Sequence, residues 1–305
     1  MSLNLQRTLF MKLRFSPFLS LIISLAAPLP QLVTAAPLVS IGDNADIFFN
    51  GSSSLQWSSN IFRDEDDEVD DFWWTVTPGF EFNLGRGLSN LDLSVITRYE
   101  IRRYFDLDDL NTELFDIEAK GTYRSSRLDL SGSAYFREQK NNTGNENVNS
   151  DLVESYKAGG LINAEYRMSP KFSFGAGISY DETEFKAPFN SLLSDNDRFN
   201  LPLDIFYELT PKVDLSLGYT YSESDVSDRE VTPADDSYTT ERHFINVGAR
   251  GNLLPKLSGF FKIGYSARED DRAGSPSGNT LGLDSDLNWT VTPKFALGLG
   301  ASRDY

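Results

Sequence analysis

The residues best equipped for chemistry are few. The chain has one histidine, His243, and no cysteine, which leaves neither a disulfide framework nor a thiolate metal site. A His–Ser pair needs hydrogen-bond reach to hydrolyse an ester. Ser285 shares the sequence parity of His243 but lies two apolar runs away, and no G-x-S-x-G turn occurs. The acidic run Asp64, Glu65, Asp66, Asp67, Glu68, Asp70, Asp71 offers the oxygens that Ca²⁺ or Mg²⁺ prefer. It lacks the spaced ligands and central glycine of an EF-hand, so it reads as a solvated loop, as does DLDDLNTE around Asp106. GAG (175–177) and GLG (298–300) have no helix after them and form no dinucleotide turn. No cofactor or metal is implied, and no residue set supports an enzyme. What remains is a set of charges spaced by twos: Arg98, Glu100, Arg102, Glu118, Lys120, Arg137, Lys157, Glu165 and Arg167. On one wall of a water-filled path, opposite charges set its electric field. In a narrow barrel the same residues would fill the interior as ion pairs.

The spacing by twos is the property of a strand, whose successive side chains point to opposite faces. In DFWWTVTPGFEFNL one face carries Phe72, Trp74, Val76, Phe80 and Phe82, while the other carries Trp73, Thr75, Thr77, Gly79 and Glu81. LDLSVITRYEI alternates in the same way, with Arg98 and Glu100 on its polar face. Thirteen such runs are predicted, starting with Ile47–Trp57 and ending with Phe295–Ala301, most of them about 10 residues long. Their connections alternate. Tight corners such as SPK, TPK, LPK and TPK, with prolines at 170, 211, 255 and 293, follow long polar loops such as 138–151 and 181–197. Alternating strands of this length, with short turns on one rim and long loops on the other, describe an all-β, transmembrane antiparallel β-barrel. The tight turns are expected in the periplasm and the long loops outside. The apolar face ends in Trp57, Phe72, Trp74, Tyr123, Tyr166, Tyr180, Tyr207 and Trp289, as interfacial girdles do. Alternation then predicts that Leu217→Arg, on the lipid face, hampers assembly, whereas Ser216→Arg, on the lumen face, is tolerated.

Composition agrees with this reading. Aromatics make up 13% of the chain, and the net charge of −17 excludes a nucleic-acid partner. Arg7, Lys12 and Arg14 precede the apolar stretch Phe15–Ala27 and a small-residue cleavage site before Ala36, which predicts a cleaved signal peptide over 1–35. Met11 is an alternative start. A short periplasmic segment (36–44) and the barrel (45–305) follow. The predicted location is a Gram-negative-type outer membrane. The implied partners are outer-membrane lipid and lipopolysaccharide, the barrel-assembly machinery, and small polar solutes or polysaccharide.

DIFFNGSSSLQWSSNIF (46–62), the acidic loop after it and TVTPGFEF (75–82) resemble the opening of the outer-membrane β-barrel porin family, some of whose members accompany exopolysaccharide genes. The resemblance implies a porin-like passive channel for small polar solutes, or a surface or polysaccharide-export barrel without open channel activity. The count of thirteen departs from the even numbers of bacterial barrels. It predicts either a missed strand or a truncated larger barrel, with an imperfect seam between Phe49–Trp57 and Phe295–Ala301.

Overall fold

The computed structural model describes residues 36–62, 68–85, 89–141, 152–227, 237–272, 275 and 277–303. The expected signal peptide (1–35) and residues 64–67 of the acidic run lie outside the described residues. The strands are β1 (Val39–Ile41), β2 (Ala45–Ser58), β3 (Asp71–Leu84), β4 (Leu91–Tyr104), β5 (Thr112–Arg124), β6 (Leu128–Asn141) and β7 (Val153–Arg167). They continue as β8 (Phe172–Phe185), β9 (Asn196–Thr210), β10 (Val213–Val226), β11 (Tyr238–Leu254), β12 (Leu257–Asp270), β13 (Gly278–Thr292) and β14 (Phe295–Arg303). All fourteen form one sheet in sequence order, each antiparallel to the next.

Among the described residues the strand count is thus fourteen rather than thirteen. The additional strand is β1, three residues paired with Ala45, Asp46 and Ile47 of β2. A run that short cannot establish a period. Among the described residues the sheet is not closed, and no ladder joins β14 to β1 or β2. Because β2 and β14 run in the same sense, a regular antiparallel ladder between them is excluded, as the seam prediction required.

Strands β2–β13 are 13–17 residues long, not about 10. The additional residues stand mostly at the ends away from the tight turns, as in Ser222–Val226 of β10 and Asp181–Phe185 of β8. Polar and charged residues there occupy both faces, so the apolar alternation ends before the hydrogen-bond ladder does.

The tight turns follow from their residues. Lys171, Lys212 and Lys294 each donate a backbone N–H to the hydroxyl oxygen of Ser169, Thr210 or Thr292 at 3.3 Å. That bond, with proline fixing φ at the next residue, closes the corner. The LPK corner has leucine in place of the hydroxyl residue, and there Lys256 takes φ 73° instead. Nearby, Gly251 and Gly259 face each other across β11 and β12 at φ 111° and 134°, a conformation that L-residues with a Cβ rarely adopt.

Candidate functional site

The two faces of the sheet differ in curvature and chemistry. Glu165 on β7 and Arg250 on β11 are separated by three strands. At about 4.8 Å per strand a flat sheet would hold them about 19 Å apart. Their side chains nevertheless meet in two hydrogen bonds of 2.9 and 2.7 Å. Lys262 on β12 likewise reaches Asp204 on β9 at 2.9 Å. Contacts that skip strands form only on the inside of a curve, so this face is concave.

All nine charges singled out from the sequence share the concave face. The register places Arg98 opposite Asp116, Asp116 opposite Arg137, and Arg137 opposite Lys157. Arg98 and Arg137 bind the same Asp116 carboxylate at 2.9 and 2.7 Å. Along their own strands, Glu100 pairs with Arg102 at 2.6 Å and Glu118 with Lys120 at 2.5 Å. Arg167 reaches Asp129 at 3.4 Å. Lys157 has no ion-pair partner among the described residues.

These charges divide into two walls. Over β4–β6 the Arg98, Arg137 and Lys120 side chains are wet, at 45%, 43% and 65% exposed, whereas Arg102 is largely covered. Over β7–β12 the inner surface is packed. Arg250 binds Glu165 and Asp214 and lies 3.4 Å above the Phe206 ring. Phe206, Phe244, Ser216, Asn246 and Ser266 are all buried there. Sequence alternation gave the parity of Asp116, Asp204, Asp214, Arg250 and Lys262 but not their importance, because pairing across strands depends on curvature. Ser216 faces the lumen as expected, but at 8% exposure it belongs to this packed wall. The expectation that it tolerates arginine is therefore corrected.

At the rim away from the tight turns the structure departs from the sequence expectation. The acidic run and DLDDLNTE are expected to be solvated, yet Leu107 and Leu110, with Leu152, pack with Ile61 and Phe62 against Trp73 and Tyr104 of the concave face. Phe189 and Leu193 close over Val153 and Phe185 in the same way. Asp71, the last carboxylate of the acidic run, is buried and accepts the backbone N–H groups of Asp106 and Leu107 at 3.1 and 3.0 Å. Its role is to tie two loops together.

The convex face is apolar at mid-height, where Leu217, Ile178, Ile245 and Val247 are exposed. Tyr123, Tyr166, Tyr207 and Trp289 stand exposed near the tight turns, and Trp74, Tyr99, Tyr180 and Tyr265 nearer the other rim. Beyond the end of β8, Lys186 lies 4.0 Å above the Tyr156 ring. Burial opposes its charge, but a hydrogen bond to Tyr156 and the carboxylates of Glu138 and Glu154 outweigh it and hold the ammonium above its ordinary value. His243 hydrogen-bonds Tyr219 at 2.8 Å, and Ser285 donates to the Ala301 carbonyl. The registers through β12 place His243 and Ser285 two strands apart and several residues out of line.

An exposed apolar convex face between aromatic belts, a charged concave face and tight turns at one rim define an outer-membrane β-barrel protein. The chain belongs to the family described as "Putative beta-barrel porin 2", which matches residues 50–305. Among solved structures it is similar to a mutant of the ferric enterobactin receptor of Pseudomonas aeruginosa, at 14% identity and a TM-score of 0.49. That likeness covers 84% of this chain and 44% of the receptor chain. No curated protein sequence matches.

Proposed function

We propose that the protein is a passive channel for small polar solutes across the outer membrane. The observation that carries this reading is the wet ionic ladder Arg98–Asp116–Arg137 on the open part of the concave face. A wall built only to fill space would bury such charges against partners, as the β7–β12 wall does. On the ladder, two guanidinium groups share one carboxylate and remain exposed to solvent. Such groups line an aqueous path and give it a field. The packed wall narrows that path from one side and holds its shape. We assign the protein no catalysis and no cofactor. Its partners in this reading are lipid and lipopolysaccharide on the convex face, the barrel-assembly machinery, and the solute inside.

The test is single-channel recording of purified protein in a planar bilayer. Discrete conductance steps that scale with salt concentration are expected. A membrane that stays silent with correctly folded protein would favour a closed surface or export barrel instead.

A further inference from the structure

The tight turns carry charge that their geometry does not need. One basic residue stands at each of five of them: Arg127 between β5 and β6, then Lys171, Lys212, Lys256 and Lys294 in the four Pro-Lys corners. All five are exposed. In the corners that begin with Ser or Thr, the turn uses the proline, the hydroxyl and the backbone N–H of the lysine, not its ammonium group. Lys256 donates its ammonium to the Val291 carbonyl at 3.1 Å. Lys171 stands 3.7 Å from Glu208 with both side chains well exposed. Arg127, Lys212, Lys256 and Lys294 have no carboxylate partner among the described residues.

The outward-facing carboxylates are at the opposite end. Strand parity and register put Glu113, Glu138, Glu182, Asp197, Glu241 and Glu269 on the convex face, all close to the strand ends away from the tight turns. Toward the tight turns no outward-facing strand position among the described residues is acidic. Asp129, Glu165, Glu208 and Asp214 lie at that end, but they share the concave face. Asp43, between β1 and β2, is the one acid in a described turn of this rim. In a chain of net charge −17, the rim of the tight turns is therefore cationic on its outer side.

We propose that these turn cations bind the phosphate groups of anionic phospholipids in the periplasmic leaflet. Tyr123, Tyr166, Tyr207 and Trp289 stand exposed just above the turns, where an aromatic belt marks the headgroup level. Cations directly beyond that belt lie at the depth of the lipid phosphates, and a lysine stem reaches such a depth along apolar surface. The turns recur every two strands, about 10 Å apart. A ring of single cations at that spacing fits a shell of lipids around the barrel better than one protein partner, which would need a contiguous patch. Each Lys or Arg near an anionic surface is worth about fivefold in affinity. The proposal needs the membrane-spanning sheet but not an open lumen.

The test uses brominated phosphatidylglycerol and brominated phosphatidylcholine as probes, with the full chain reconstituted in vesicles. The chain has no cysteine, so a fluorophore on Leu209→Cys, exposed beside the β9–β10 turn, reads the lipid at that rim. A fluorophore on Leu281→Cys, exposed near the other end of β13, reads the far rim. At low salt the first is expected to favour phosphatidylglycerol over phosphatidylcholine about fivefold, with the preference fading at high salt. The second should show no such preference. Lys171→Gln/Lys212→Gln should remove the preference at Leu209→Cys, whereas Glu241→Gln/Glu269→Gln should leave it. The lysine variant keeps the proline, the hydroxyl and the backbone N–H of each corner, so it should fold, which heat-modifiable gel migration checks. Equal quenching by the two lipids in folded protein would overturn the lipid site, and so would a preference that survives the lysine variant. Quenching by neither lipid would overturn the proposal together with the membrane-spanning reading, whereas a silent bilayer recording would leave it standing.

Discussion

Leu217→Arg is expected to prevent assembly of the barrel, while Ser94→Arg is expected to leave it intact. Leu217 sits mid-strand in β10 on the convex face, 55% exposed. An arginine at the bilayer midplane of a β-barrel costs about 2–4 kcal/mol. That is a large part of the stability of a typical folded chain. Ser94 has the opposite facing. It lines an open recess of about 430 Å³ on the concave side, together with Asp46, Asp92 and Lys120. A guanidinium placed there stands opposite Lys120, but that side chain is 65% exposed and bound to Glu118, so water screens the repulsion. Heat-modifiable gel migration of membrane fractions checks both variants. Equal loss of the folded band in the two would contradict the facing of the strands.

Arg250→Met is expected to cost about 2 kcal/mol, far more than loss of any exposed member of the ladder. Arg250 holds Glu165 and Asp214 and caps the Phe206 ring. Removing one partner of a fully buried pair costs about 3–5 kcal/mol, because the other charge is left stranded. Here the arginine and both acids keep about a third of their side-chain surface exposed, so solvent screening reduces that figure. Lys120→Met is the control. Its partner Glu118 is on the same strand and the lysine is 65% exposed, so its loss should cost less than about 0.5 kcal/mol. Urea unfolding of refolded protein in lipid measures both. Similar costs would mean that the β7–β12 wall is no more tightly held than the ladder.

The face of each strand was legible in the sequence wherever bilayer and lumen impose different chemistries. Leu217 beside Ser216 and Val95 beside Ser94 show it directly. That rule fixed the parity of all nine candidate charges. Where strands continue beyond the apolar band, both faces become polar, and the alternation that marks residues 213–221 disappears by Asp225 although the ladder continues. Strand β1 was too short to carry any period. The partners of Arg250 were invisible for a different reason. Parity says which way a side chain points, but curvature decides how far across the sheet it can reach, and curvature is not encoded in spacing. The folding of Leu107, Leu110 and Phe189 over the mouth was hidden among polar loop residues for a similar reason, since burial there depends on which strand ends the loops meet.

The central claim is that this sheet spans the outer membrane with its tight turns in the periplasm and its long loops outside. The absence of native cysteine makes the direct test clean. Single cysteines at Asn190, in the loop between β8 and β9, and at Lys212, in the turn between β9 and β10, are exposed in intact cells to a membrane-impermeant maleimide. Labelling of Asn190→Cys in intact cells, and of Lys212→Cys only after the outer membrane is permeabilised, is the predicted result. Labelling of Lys212→Cys in intact cells with Asn190→Cys protected would contradict it.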